Sequence, residues 1–537
     1  MLIRKKRFKS VANNSGKYKN IKKFFIKIKK TTDEETLSVY SKSRLINLYF
    51  EGGSKMEENL KKPSLGVSLA IVLFLFISFA AQLIAVGTPD VHMTLIFASV
   101  FAVVMLRIFS KTPLSVMEEG IIHGTKIATI SMMILMFIGV MIPAWIAAGT
   151  IPTLIYYGVQ VISPSVFLLT TILVCSISTL ATGTSWGTAA TFGVALMGIG
   201  GGLGVDPAMT AGAVISGAIF GDKLSPISDT VNLSSATCEV NIFEHIKSVA
   251  TATVPGYILA LIVSVFLGLK YAKGQISDEQ IGTLLSTLNS HFNVTPGFAI
   301  LSLIPMILVV VLALRKFNAL ATIVISSLVG MLIAILFQGY HLIEMMGYMN
   351  YGYVVDTGNA NVDKLLNRGG LQSMMWTVSI GYLGLSYGGI LEKSGVLDTL
   401  LYSAKGVTSS ARNLILTQML AGFATVAATA SPYVCILIPG RMFVSGYDKL
   451  GIKRIVASRT LEHSGICLDP MLPWSLGAVY FSGVLGVSPL ESAPYNVLCW
   501  SVPLIAAFYA ITGIFVWKEE NPVNTETTAD ELTGTEG

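Results

Sequence analysis

Charge is scarce in this 537-residue chain: 13% of its residues are Asp, Glu, Lys or Arg and 53% are hydrophobic, against roughly 25% charged in soluble domains. That balance excludes an ordinary soluble globule. Cysteine is sparse as well. The five copies (Cys175, Cys238, Cys435, Cys467, Cys499) stand singly with no CxxC pair, which argues against a zinc site and a disulfide framework. Each reads as a small buried residue. Strand-type alternation is missing from the apolar runs, so a membrane β-barrel is disfavoured. An intramembrane hydrolase would need a nucleophile with its base or a clustered metal site, and neither an HExxH nor a GxSxG motif is expected in the spans. The chain therefore reads as a non-enzyme without a cofactor.

What is present is a series of apolar stretches of about 20 residues, each long enough to cross roughly 30 Å of hydrocarbon. Examples are Leu65 to Gly87, Val91 to Phe109, Ile127 to Ala148, Pro296 to Leu314, Ala319 to Phe337 and Asn496 to Trp517. The expected fold is an all-α polytopic membrane protein. The net charge of +6 is unevenly spread: residues 1–55 hold 15 Lys/Arg and 4 Asp/Glu, a balance of +11, and the other 482 hold 22 and 27, a balance of −5. The basic leader reads either as an arm for anionic lipid or as untranslated sequence. EGGSKM (Glu51 to Met56) back-translates to a bacterial ribosome-binding sequence just before an ATG, so a start at Met56 is expected. Leu65 to Gly87 is too long for a signal-peptide core. The acidic tail, residues 518–537, is expected to be disordered.

The chain contains itself twice. From Thr153 in IPTLIYY it is 29 residues to Thr182 in ATGTSW, and 44 more to Pro226 in KLSPIS. From Thr399 in LDTLLY it is 30 to Thr429 in ATASPY, and 41 more to Pro470 in CLDPML. Two repeats are expected, 65–271 and 296–517, joined by an outer loop, 272–295. Each would have three spans, a short interfacial helix (151–163 and 397–407), a pair of segments broken at ATGTSW or ATASPY, a segment broken at the Ser-Pro or Asp-Pro step, and a last span. If the first broken pair is a re-entrant hairpin, each repeat has five crossings, and an odd number inverts the second repeat. With a cytoplasmic N-terminus, the inner connections then carry Arg107, Lys111, Lys126, Lys247, Arg315, Lys316, Lys393, Lys405, Arg412, Lys449, Lys453, Arg454 and Lys518. The outer ones carry only Lys270, Lys273, Lys364 and Arg368. This is the positive-inside bias, and it places both termini in the cytoplasm.

Inside a bilayer a broken helix is tolerated only where it lines a polar cavity or packs on protein. Ser225–Pro226 and Asp469–Pro470 read as N-caps followed by proline at the first helical position. Half-helix ends meeting near a midplane are the layout of secondary transporters. In GDKLSPISDT, Asp222 and Asp229 flank the break, and Ser225, Ser228, Thr230 and Asn232 add neutral oxygens. Na⁺ needs several oxygen ligands, and a carboxylate that holds either Na⁺ or H⁺ is sufficient chemistry for antiport. Candidate Na⁺ ligands are Asp222, Asp229, Ser225 and Thr182. Lys223 reads as a counter-ion to one aspartate or as a snorkelling lysine. The bland alternative for the whole stretch is a capped surface loop.

ATGTSW offers Thr182, Thr184 and Ser185, or is a plain glycine turn; ATASPY offers Thr429 and Ser431. Glu462 and His463 form either a proton relay or a polar packing pair, and Asp469 is a ligand or only an N-cap. Arg441, Arg459 and Glu239 read as interfacial or structural. MMGYMNYGYV (345–354) reads as an interfacial belt.

AGAVISGAIFGDKLSPISDTVNLSSA resembles the signature region of the NhaC family of bacterial Na⁺/H⁺ antiporters. ATGTSWGTAATFG before it and SRTLEHSG, LPW and SGVLGVSP after it fit the same family in the same order. The resemblance covers about residues 65 to 517. It implies Na⁺/H⁺ antiport in the bacterial plasma membrane, with lipid as partner, no nucleic acid, and a homodimer as the assembly to test. It also implies two re-entrant hairpins and two broken helices, with the broken elements moving past a scaffold. The family tends to read LEDSGT in its second half, where this chain has Leu461-Glu462-His463-Ser464-Gly465-Ile466. His463 replaces an acidic residue and Asp469 appears beside the break. A small carboxylate substrate, exchanged as malate is for lactate, or an amino acid, is the alternative these departures favour.

Overall fold

Apolar runs of this length can satisfy their backbone groups in lipid only by winding into helix, and short polar residues stop each run. The computed structural model describes residues 62–87, 89–271, 278–404 and 409–519. Ser64 and Asp90 accept from the N–H groups of Val67 and Met93, starting α1 (Leu65–Val86) and α2 (Val91–Met105). A π-helical turn, Leu106–Ser110, extends α2 towards α3 (Leu114–Ala147). The short α4 (Thr150–Val161) precedes α5 (Pro164–Thr182). Gly183, at φ 74°, turns the chain into α6 (Ser185–Thr188), a π-turn and α7 (Val194–Gly202). Next come α8 (Pro207–Leu224) and α9 (Asp229–Thr237), separated by four non-helical residues, and then α10 (Ile242–Tyr271).

The second half follows the same order with insertions. α11 (Asp278–His291) stands in the connection, followed by α12 (Pro296–Leu314) and α13 (Ala319–Phe337). The inserted α14 (Leu342–Tyr351) and α15 (Ala360–Leu366) lead to α16 (Leu371–Lys393) and the short α17 (Val396–Ala404). α18 (Ala411–Thr429) turns at Ala430 into α19 (Val434–Lys449). α20 (Arg454–Glu462) is then broken through α21 (Gly465–Leu468) and a 3₁₀ turn, Asp469–Met471, before α22 (Leu476–Leu485). α23 (Pro489–Ser492) and α24 (Val497–Thr512) complete the described chain.

Seven described helices are long and apolar enough to cross a membrane, or up to eight when the bent pair ending at Thr512 counts as one span. The protein is an all-helical polytopic membrane protein. Ile84, Phe97, Ile300 and Leu336 project from its outer helices and are mostly exposed, as lipid-facing residues should be. At the centre α3 and α16 run antiparallel at glycine-limited distance. A Cβ on Gly124 would stand 1.9 Å from the Leu385 carbonyl oxygen, and one on Gly389 2.0 Å from that of Gly120. Close backbone approach through small residues is how helices associate in lipid.

Three sequence expectations need correction. Residues 272–295 are not a plain loop, because α11 occupies most of the segment; its Leu284 and Leu288 are buried, the stripe an amphipathic helix requires. Ser225 is the C-cap of α8, and Ser228 is the residue that caps α9, accepting from Val231 N–H. Asp469 begins the 3₁₀ turn, and Ser475 caps α22. In both breaks the proline sits upstream of the new helix, so the chain needs a few more residues to turn before its cap. The leader and Met56, Lys273, Lys405, and the tail beyond Glu519 lie outside the described residues.

Candidate functional site

The tips of the two hairpins meet the two breaks. Gly183 lies against Ile227, where a Cβ would come within 2.8 Å of the Ile227 side chain. The Ala430 carbonyl accepts from Leu476 N–H at 2.9 Å, in the first turn of α22. Between them is a cavity of about 390 Å³. Its polar wall is Thr182, Thr184, Ser185, Asp222, Asp229, Thr230, Tyr433 and Asp469, and Lys316 and Phe317 line it at the α12–α13 turn.

The small residues of AGAVISGAIFG position Asp222. They let α8 press onto α5, with Gly217 against the Ile172 carbonyl and Gly221 against Thr179 and the Ser176 carbonyl. Asp222 at the end of α8 then faces the hairpin turn, where Ser185 Oγ donates to its Oδ2 at 2.8 Å. Its Oδ1 is buried with no hydrogen-bond partner among the described residues. Asp469 is buried too, with its Oδ2 against the backbone of Gly477 in the first turn of α22; a Cβ on Gly477 would stand 1.8 Å from that oxygen. Ser475 Oγ donates to the Asp469 carbonyl. Asp469 Oδ1, like Asp222 Oδ1, has no partner among the described residues. Asp229 is exposed to the cavity; Oδ1 accepts Thr230 N–H at 2.9 Å and Oδ2 accepts the Tyr433 hydroxyl at 2.8 Å. Among the described residues no three His, Cys, Asp or Glu side chains converge as a resident metal site would require.

The other expected site residues do not line this cavity. Ser225 Oγ donates to the Leu180 carbonyl, 3.3 Å away, and Ser228 Oγ meets Thr230 Oγ1 at 3.2 Å. Asn232 Nδ2 ties the break together, donating to the Pro226 and Ser228 carbonyls at 2.9 and 2.6 Å. Thr429 Oγ1 donates to the Thr425 carbonyl, 2.7 Å away, and Ser431 Oγ accepts from Val434 N–H at 3.4 Å. Lys223 is neither counter-ion to an aspartate nor snorkelling. Its Nζ is 2.9 Å from Glu462 Oε2 in a pair of which 1% and 0% are exposed, and Ser234 Oγ donates to Glu462 Oε1 at 2.8 Å. Glu462 and His463 share no side-chain hydrogen bond among the described residues. His463 Nε2 donates instead to the Val249 carbonyl at 3.0 Å, because successive residues leave a helix end in different directions.

Tyr433 is the residue that sequence reasoning missed. It stands in ATASPY where Trp186 stands in ATGTSW, and only that alignment of the halves would have marked it. The expected absence of GxSxG is corrected by GTSWG (Gly183 to Gly187), which spells that nucleophile-elbow pattern. Here Ser185 donates to a carboxylate rather than to a histidine base.

The Na⁺/H⁺ antiporter family matches over residues 56–230 and 217–514. This chain belongs to that family. Among its relatives is the Na⁺/H⁺ antiporter NhaC of Alkalihalophilus pseudofirmus, 35% identical over 86% of this chain and 99% of the relative. The malate-2H⁺/Na⁺-lactate antiporter of Bacillus subtilis is 35% identical over 85% and 95%. The arginine/ornithine antiporter ArcD of Halobacterium salinarum is 30% identical over 88% and 96%.

Proposed function

We propose that this family member is a Na⁺/H⁺ antiporter in which the cation and the proton compete for Asp222 and Asp469. The observation that carries the reading is the shared cavity, where a carboxylate from each half keeps one buried oxygen without a partner among the described residues. A buried polar oxygen left unpaired costs free energy, and either Na⁺ or H⁺ would relieve that cost. The two cannot occupy the same oxygen together, so loading one releases the other. Ser185, Thr182, Thr184 and Thr230 add neutral oxygens, and Asp229 with Tyr433 forms the third acidic position.

The halves act as inverted-topology repeats of five spans, a re-entrant hairpin and a broken helix. The parallel order of elements, and hairpin tips that stop at the breaks, support this. Lys316 at the cavity turn and Lys364 and Arg368 at the other end fit the charge bias, which supports a cavity mouth and both termini on the cytoplasmic side. Alternating access then carries the cavity past the packed α3–α16 pair.

Exchange of an organic acid or amino acid coupled to ions is the second reading. Two relatives covering most of the chain favour it, since malate, lactate, arginine and ornithine all bear a carboxylate.

The test is Na⁺-driven proton movement in proteoliposomes with an internal pH dye and choline as the control cation. A response to Na⁺ but not choline, lost in Asp222→Asn without loss of folded protein, is expected. Silence until an organic acid is added would move the function to the second reading. Wild-type rates in Asp222→Asn and Asp469→Asn would remove the carboxylates from the mechanism.

A further inference from the structure

A second and larger cavity of about 1210 Å³ lies at the far end of the bundle. α13 starts beside the first cavity and leads through α14 to this one, whose walls come from α7, α11, α15, α16 and the end of α22. Tyr351 to Val354, from the stretch read as an interfacial belt, also line it. Lys364 and Glu279 are exposed at this cavity, and Asp206 is engaged in capping α8 through Ala208 and Met209 N–H. Arg368 is different. It is partly buried, it lines the cavity, and its guanidinium has no hydrogen bond or ion pair among the described residues. Arg454, by contrast, holds Asp448 and Glu239, and Arg459 lies over the Trp517 ring.

The loop that carries Arg368 is fixed. Its carbonyl accepts from Tyr353 N–H at 3.2 Å, and Gly370 N–H donates to the Gly139 carbonyl at 2.7 Å. Gly369 and Gly370 have φ of 83° and 91°, and a Cβ on Gly369 would stand 2.6 Å from Pro143 Cδ. Partial burial holds the Arg368 pKa below the usual arginine value, and no counter-charge offsets it among the described residues. A partly buried guanidinium without a partner among the described residues, held on a fixed loop, is a preorganised anion receptor, since part of the cost of binding is already met.

We propose that Arg368 binds the carboxylate of a small organic anion in this vestibule. The planar guanidinium fork matches a carboxylate in a bidentate pair. At about 1210 Å³ the space is a vestibule somewhat larger than the roughly 300–1,000 Å³ of ligand pockets, and it has room for an organic molecule. Met374, Leu365 and Tyr353 offer apolar contact, and Thr377 and Ser482 add hydroxyls. The assignment deepens the second reading above, but the binding itself does not require Na⁺/H⁺ exchange.

The experiment is ligand-dependent thermal unfolding of the purified full chain in detergent, titrated with choline salts of malate, L-lactate and chloride. A carboxylate should raise the midpoint saturably. Arg368→Gln should weaken that binding about 10- to 100-fold, the loss of one charge-assisted pair, and Arg368→Lys should weaken it less. No saturable shift by either carboxylate in the wild type overturns the proposal, as does an undiminished shift in Arg368→Gln. Equal shifts from chloride overturn the ligand class. The wild-type series decides even if Arg368→Gln fails to fold. Sodium-driven dye response in the same protein separates this failure from failure of the antiporter reading.

Discussion

Lys223 sits one residue after Asp222, yet its ammonium points away from the cavity to Glu462, 239 positions along the chain. Both groups are out of water, so their desolvation is offset by the pairing, by the Glu462 carbonyl that accepts from Lys223 Nζ, and by the Ser234 hydroxyl on Glu462. Removing one partner of such a pair strands a buried charge. Lys223→Met should therefore destabilise the protein by about 3–5 kcal/mol, read as a lowered unfolding midpoint in detergent. The double variant Lys223→Met/Glu462→Met should recover much of that loss, because no charge is left unpaired. A single variant as stable as the wild type would mean that the pair contributes nothing. The lysine was visible in GDKLSPISDT, but its partner was not. Nothing local selects Glu462 over the nearer aspartates; the choice is made by how the end of α8 packs on the end of α20.

At the scale of elements, the cavity is made by helix ends that hold one another. The α18–α19 turn caps α22 through the Ala430 carbonyl's contact with Leu476 N–H, and the Asp469 carboxylate lies on the next residue, Gly477. A helix N-terminus favours a carboxylate there, and only glycine leaves it room. Gly477→Ala places a methyl 1.8 Å from Asp469 Oδ2 in the present geometry, so the carboxylate must move. The expected outcome is loss of most Na⁺-driven proton movement with folded protein retained, checked by the dye assay alongside size-exclusion chromatography. Normal transport would show that Asp469 need not sit on α22. The breaks themselves were legible in the sequence, since proline and small polar residues interrupt apolar runs there. Their caps were misplaced by a few residues, at Ser225 and Asp469. Local cap propensity cannot register that Ser225 Oγ is drawn to the Leu180 carbonyl or that Asp469 docks on a later helix. Tyr433 was hidden for a similar reason, because its bond to Asp229 crosses between the halves.

In the whole molecule, two cavities at opposite ends approach the same helix. Phe481 of α22 lines the cavity with the aspartates, and the next four residues, Ser482 to Leu485, line the vestibule with Arg368. The Phe481 ring is 2% exposed, edge-on to Tyr480 at 5.9 Å, and Tyr480 stacks on Trp186 of the first hairpin at 4.3 Å. This aromatic row joins the two halves, and in it Phe481 lines the first cavity directly before the residues of α22 that line the second. A coupled exchanger must keep those spaces separate, since any continuous wet path would let protons pass without Na⁺. Phe481→Ala removes the ring, at about 3–5 kcal/mol for a buried phenylalanine, and leaves a void beside the carboxylates. The expected result is a Na⁺-independent proton leak through otherwise folded protein, seen as collapse of an imposed pH gradient in proteoliposomes with choline as the sole cation. Phe481→Leu should leak less, because it fills much of the space. If Phe481→Ala holds the gradient as the wild type does, the seal lies elsewhere along α22 or in the π-helical turn of the first hairpin that packs against it.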